Sequence, residues 1–304
     1  MLKNHRLLAP VLAALPAAAF LGLPGVASAS GTAGAVYVLT NQTSGNAVLA
    51  YARHADGTLA ALGSFSTGGV GTGGGLGSQG AVVLDGSARH LYAVDAGSDT
   101  VTSFRVLPDG LVRIGSVSSG GSRPTSVTVH DGLVYVLNAG GSGSISGFRS
   151  DDGALTPLAG STHALSAAAP GPAQVSFTPD GRHLVVAEKA TNALDVFPVS
   201  AAGLPEDPAV VASSGATPFG FGFDNKQHLI VSEAFGGATD ASAVSSYALD
   251  GDALDVVSGS VPTTETAACW IATTSNGKLP YWIEAAIRLV PAHLVQTSAE
   301  VGES

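Results

Sequence analysis

Four acidic or amide side chains, Asp95, Asn138, Glu188 and Glu233, each close a short apolar run, and Lys189 directly follows the third of them. A carboxylate beside a cation is the minimum equipment for acid–base work on an ester. The carboxylate moves a proton, and the cation steadies the negative charge that develops. Glu233 is the candidate general base, with Lys189 or Arg123 as the candidate holder of an anion. Gln79, Ser126, Gln174, Gly220 and Trp270 fall at the leading ends of a second set of apolar runs. There Gln79 and Gln174 can hydrogen-bond a ligand, and Trp270 can stack on one. Together, Gln79, Asp95, Arg123, Asn138, Gln174, Glu188 and Trp270 are the candidate ligand-binding set. Each has a plainer alternative. Asp95 and Asn138 precede Gly-rich turns, where such side chains cap backbone groups. For Glu188, Lys189 and Glu233 the two readings stand level, and Trp270 equally suits packing between sheets.

Other chemistry is thinly represented. His90, His183 and His228 recur just before the same kind of apolar run, beside Arg89, Arg182 and Gln227, which marks a repeated turn rather than one active site. Asp95 and Asp99 read as an exposed turn before they read as metal ligands. The chain holds no H-E-x-x-H, paired C-x-x-C, G-x-S-x-G or EF-hand loop, so neither a metal nor a cofactor is expected.

The elements that must position these residues form a repeat. An apolar strand ends at a polar residue, a Gly/Ser/Asn turn follows, and a second strand carries one aromatic. Those aromatics are Tyr51, Phe104, Phe148, Phe197 and Tyr247, spaced by 53, 44, 49 and 50 residues. Asp-Gly turns and a further short strand often follow. Short antiparallel strands repeated at this period predict an all-β chain folded as a β-propeller of four-stranded blades. About five full blades and part of a sixth are present, spanning residues 30–282. The Gly-rich stretch 67–80 lacks the GK[ST] ending of a phosphate loop and reads as a flexible connection between the first two blades. Past Leu279 the pattern fades, so residues 283–304 are expected to be an aberrant or divergent tail, as a frameshift or truncation would produce.

Residues 1–29 have a basic start at Lys3 and Arg6, an apolar stretch and an Ala27-Ser28-Ala29 ending, which is the pattern of a cleaved export signal. The expected product is therefore secreted, with no membrane span after cleavage. Its formal charge of −10 becomes about −12 without Lys3 and Arg6, which argues against a nucleic-acid partner. Cys269 is the single cysteine, so no internal disulfide can form. A closed ring predicts a monomer, with an unidentified small molecule or protein as partner at the channel mouth.

The blades resemble the lactonase-type seven-bladed propellers, the family that includes bacterial 6-phosphogluconolactonase and the carboxymuconate-lactonising enzymes. The resemblance rests on Pro172…Pro179-Asp180-Gly181-Arg182…Leu184-Val185-Val186, on Pro218…Leu229-Ile230-Val231-Ser232-Glu233, and on Leu133-Val134-Tyr135-Val136-Leu137-Asn138. It implies about two further blades in an intact member. It also implies Pro-His and Pro-Arg-His at the leading ends of inner strands, where this chain has Pro172-Ala173-Gln174 and Pro218-Phe219-Gly220. Glu233 does match the family's Asn-Glu pattern. The favoured expectation is a lactonase-like binding module that lacks the catalytic His and Arg. The alternatives are a lactone or sugar-acid ester hydrolase using Glu233 and Lys189, and a degenerate gene product.

Overall fold

The computed structural model describes residues 32–274, 280–284 and 289–291. The expected export signal and most of the 283–304 tail lie outside the described residues. Six antiparallel sheets follow one another along the chain, with no α-helix among the described residues. Blade 1 comprises Thr32–Leu39, Ala47–His54 and Leu59–Ser66. Blade 2 comprises Val82–Leu84, His90–Asp95, Thr100–Leu107 and Gly110–Ser118. Blade 3 comprises Pro124–His130, Leu133–Asn138, Ser144–Asp151 and Ala154–Pro157, with the short His163–Ala164 also pairing on its third strand. Blade 4 comprises Pro172–Phe177, His183–Glu188, Ala193–Pro198 and Ala209–Ala212. Blade 5 comprises Pro218–Phe223, Leu229–Glu233, Ala243–Asp250 and Ala253–Pro262. Blade 6 comprises Ala268–Thr273, Pro280–Glu284 and Leu289–Pro291.

This is the propeller that the repeat predicts. Four blades have the full four-strand path, while the first and sixth have three strands among the described residues. In blade 1 it is the inner strand that is lacking. Sequence pattern fades after Leu279, yet backbone pairing continues. Glu284 lies opposite Ala268, in the register that places Glu188 opposite Pro172 and Glu233 opposite Pro218.

The second strand of each complete blade is buried on both faces, as in Leu133-Val134-Tyr135-Val136-Leu137. Successive side chains point to opposite faces. Val134 and Val136 pack with Tyr92 and Val94 of blade 2, while Tyr135 and Leu137 pack with Val175, Leu184 and Val186 of blade 4. One strand thus serves two seams. The repeated aromatics turn toward the preceding blade. Phe104, Phe148, Phe197 and Tyr247 are buried in the successive seams, whereas Tyr51, with no preceding blade among the described residues, is half-buried.

Polar side chains close the same seams. Asp95 accepts hydrogen bonds from Asn46 Nδ2 (2.8 Å) and Thr67 Oγ1 (2.5 Å) of the preceding segment, and from Thr102 Oγ1 (2.8 Å) of its own blade. The connecting chain comes so close here that a Cβ built on Gly69 would lie 2.6 Å from both Asp95 Cγ and Ser98 Oγ. Gly69→Ala is therefore expected to destabilise the fold by about 1–3 kcal/mol through overpacking. Gly86→Ala, with nothing within 4 Å of the added carbon, should cost far less. Urea denaturation of the two variants checks this, and equal midpoints would refute the seam packing.

Candidate functional site

The inner strands of blades 3 to 6 begin in a common way. Arg123, Gly171, Thr217 and Ala267 adopt left-handed backbone (φ 55°, 58°, 60° and 57°), and each precedes the first inner-strand residue. A register shift follows at once, between Pro124/Ser126, Pro172/Gln174, Pro218/Phe221 and Ala268/Trp270. Bulges of this kind re-aim a side chain and recur beside functional sites. Here the displaced positions include Thr125, Ala173, Phe219 and Cys269. Thr125 and Ala173 are buried, while Phe219 and Cys269 are partly open.

Three of the sequence-predicted residues, Lys189, Trp270 and Gln79, come together at the centre. Lys189 Nζ donates to the carbonyl of Gly77 and lies 4.6 Å from the centre of the Phe219 ring. Phe219 in turn meets Trp270 edge-to-face, with ring centres 6.0 Å apart. Trp270 Nε1 donates to Ser78 O (3.0 Å). Gln79 Nε2 donates to Ile271 O (2.9 Å) and Phe221 O (3.2 Å), and its Oε1 accepts from Ile271 N (3.0 Å). Burial pushes the Lys189 amine below its ordinary value. Cys269 nearby opposes that shift, and the positive charge of Arg123 adds to it.

Gln79 and Gln174 are therefore tied into the sheets rather than presented to a ligand. Gln174 Oε1 accepts from Phe221 N (2.7 Å) and its Nε2 donates to Phe221 O (3.1 Å), stitching blade 4 to blade 5. Ser126 Oγ accepts from Val175 N (3.2 Å) and links blades 3 and 4 in the same way. The Gly-rich stretch is fixed too. Asn41 Nδ2 holds Thr72 Oγ1 (2.8 Å) and Gly74 O (2.6 Å), and Gln79 N donates to Ala173 O (3.0 Å). Expected as a flexible connection, it crosses the centre as a hydrogen-bonded strap.

The other expected liners, Asp95, Asn138, Glu188 and Glu233, are sealed in the seams with no exposed surface. Glu233 Oε1 accepts from Gly215 N (2.8 Å), Ser245 Oγ (2.5 Å) and Ser213 Oγ (3.3 Å). Its Oε2 is buried without a hydrogen-bond partner among the described residues. Glu188 accepts from Ser166 Oγ (2.7 Å) and Thr191 Oγ1 (2.6 Å). Asn138 Nδ2 donates to Ser119 O (3.3 Å) and lies 3.4 Å from Ser146 Oγ. In each blade the partner is the third residue of the third strand: Thr102, Ser146, Asp195 or Ser245. These four went unrecognised in the sequence. The signal was a polar residue at a fixed place in an otherwise apolar strand. Phe219 was also missed as a site residue, although its place after Pro218 matches the bulge.

Histidines cluster at the opposite ends of the second strands. His90 Nδ1 lies 3.0 Å from Asp85 and its Nε2 3.3 Å from Asp152, while His183 pairs with Asp252 (2.9 Å) and His228 with Asp224 (3.0 Å). A cavity of about 470 Å³ opens beside His90. Among the described residues no group of three His, Cys, Asp or Glu side chains could hold a metal ion, and no helix is long and apolar enough to cross a membrane.

Blades stacked through two-sided strands around a strapped centre define a β-propeller of the lactonase kind. The chain belongs to the lactonase, 7-bladed beta-propeller family, whose sequence pattern matches residues 81–269. No curated protein matches it. Among solved structures, it is similar to a provisional 6-phosphogluconolactonase of Bacteroides fragilis, at 17% identity over 89% of this chain and 82% of the other, with a TM-score of 0.66. It is also similar to the periplasmic gluconolactonase PpgL of Pseudomonas aeruginosa, at 20% identity over 78% and 70% of the two chains, with a TM-score of 0.57. A gluconolactonase of Xanthomonas campestris, XC5397, aligns at 16% identity over 80% of each chain, with a TM-score of 0.53. At these identities the likeness is one of fold.

The Glu188 seam carries a pH dependence. Ser166 N approaches Glu188 Oε1 and Asp195 Oδ2 at 3.1 Å each, so two buried carboxyl groups share one donor. Burial, reinforced by Glu188, pushes Asp195 up from 3.8 to about 7. A carboxyl raised in the folded state makes that state bind the extra proton. Its contribution to stability is full below the unfolded value of about 3.8 and is lost as pH rises toward about 7. The stability of the wild type relative to Asp195→Asn should therefore fall across that window. Thermal melts of both proteins over the same pH series check it, and a constant difference would contradict the raised Asp195 carboxyl.

Proposed function

We propose that this lactonase-family propeller is a binding module whose channel mouth takes a small carboxylate-bearing ligand. In this reading Lys189 supplies the charge-assisted hydrogen bond and Arg123 adds long-range attraction. The edges of Phe219 and Trp270 shape the apolar wall. The observation that carries the reading is the complete burial of Asp95, Asn138, Glu188 and Glu233. Each is engaged by seam donors or acceptors, so none is left to move a proton at the mouth. Ala173 and Phe219, at the leading ends of inner strands, have no titratable group either. What remains at the mouth is the partly open Cys269 thiol together with cationic and aromatic groups, and the cationic and aromatic groups suit holding an anion.

Lactone hydrolysis is the second reading, favoured by family membership and by the gluconolactonase names of the Pseudomonas and Xanthomonas relatives. It requires Glu233 to leave its seam and reach substrate. Calorimetric titration with gluconate separates binding from its absence. Gluconate should bind the wild type, and Lys189→Met should weaken it about 10-fold or more, as expected for loss of one hydrogen bond to a charged group. Equal affinity in the two proteins would refute the role of Lys189.

A further inference from the structure

The mouth is already occupied by the chain's own backbone. The carbonyl of Gly77 takes the Lys189 ammonium, and the carbonyl of Ser78 takes Trp270 Nε1. On one side the strap is held by Asn41, through Thr72 and Gly74. On the other it is bolted by Gln79 to Ala173, Phe221 and Ile271. Between these anchors the chain is Gly75-Leu76-Gly77-Ser78. A Cβ on Gly74 or Gly75 would meet nothing within 4 Å, whereas Leu76 packs against the core between blades 2 and 3 and Ser78 Oγ donates to Thr125 O (2.8 Å), so the Gly77 peptide lies between two held residues. Gly77 has φ +63°, a left-handed conformation that aims its carbonyl at Lys189.

We propose that the Gly77 peptide is a built-in competitor: its carbonyl fills the place of a ligand carboxylate on Lys189, and ligand enters as that peptide rotates away. The inference rests on the reading of the mouth as a carboxylate site and adds the device that regulates it. Rotation of the Gly77–Ser78 peptide leaves the Trp270 bond to Ser78 O and all the Gln79 bonds intact, so the blades need not part. The exchange also selects for charge. A neutral carbonyl ligand gains no more than Gly77 already gives, whereas a carboxylate makes the stronger, charge-assisted bond. Glycine is what makes the closed form inexpensive, since a side chain at a left-handed position costs about 1–2 kcal/mol.

Gly77→Ala should therefore bias the strap open by about 5- to 30-fold, that cost converted at 1.4 kcal/mol per tenfold. Gly74→Ala, with nothing within 4 Å of its added carbon, should stay near wild type. The first readout needs no ligand. Acetylation of Lys189 by an amine-reactive ester, followed by mass spectrometry against the exposed Lys226, should rise by that factor in Gly77→Ala alone. An unchanged rate in folded Gly77→Ala, or an equal rise in Gly74→Ala, overturns the gate. The second readout is gluconate affinity, which should tighten by the same factor in Gly77→Ala, and equal affinity again overturns it. If labelling rises while gluconate binds neither protein, the carboxylate reading fails and the gate stands.

Discussion

Each complete seam of this propeller depends on a polar side chain sealed where one blade meets the next. A second strand buried on both faces must end somewhere, and the chain that connects blades must pass its end. Asp95, Asn138, Glu188 and Glu233 occupy those ends and hold the passing chain by its backbone and hydroxyl groups. Unpaired, such groups would cost more than they contribute, so the hydrogen bonds from Thr67, Ser166 and Gly215, and the one Asn138 donates to Ser119 O, are what make their burial possible. The apolar stacking supplies attraction between blades, and these contacts fix where along the seam the blades stop.

The same economy shapes the centre. Gln79 and Gln174 behave as side-chain substitutes for strand hydrogen bonds, joining inner strands that have no backbone pairing with one another. Because Gln79 reaches Ile271, 192 residues away, the strap spans the centre from the second blade to the sixth. Its position brings Gly77 and Ser78 over Lys189 and Trp270. The strap that Gln79 ties across the centre thus also covers Lys189 and Trp270, through the carbonyls of Gly77 and Ser78.

The period of the repeat made the blades legible in the sequence, because alternation and turn chemistry are local. The Lys189–Trp270 neighbourhood was legible as well, since both positions follow from aligning blades on their turns. The roles of Glu188 and Glu233 were not. A carboxylate at a strand end reads alike whether it faces a channel or a seam, and the deciding partners, Ser166 and Gly215, lie 22 and 18 residues away. The strap was hidden for a related reason. Glycine-rich sequence signals freedom, and only distant partners such as Asn41 and Ala173 remove it. The blade 6 strand Pro280–Glu284 escaped notice because Pro280-Tyr281-Trp282-Ile283-Glu284 lacks the apolar pattern of the other second strands, such as Leu133-Val134-Tyr135-Val136-Leu137-Asn138.

The central claim is that the carboxylates of this lactonase-family chain hold blades together and do no chemistry on lactones. Hydrolysis of glucono-δ-lactone by wild type and Glu233→Gln, measured at a temperature where circular dichroism shows both folded, tests it most directly. The account predicts rates no faster than buffer for either protein, with a lower melting temperature for the variant. Turnover by the wild type that disappears in folded Glu233→Gln would contradict it.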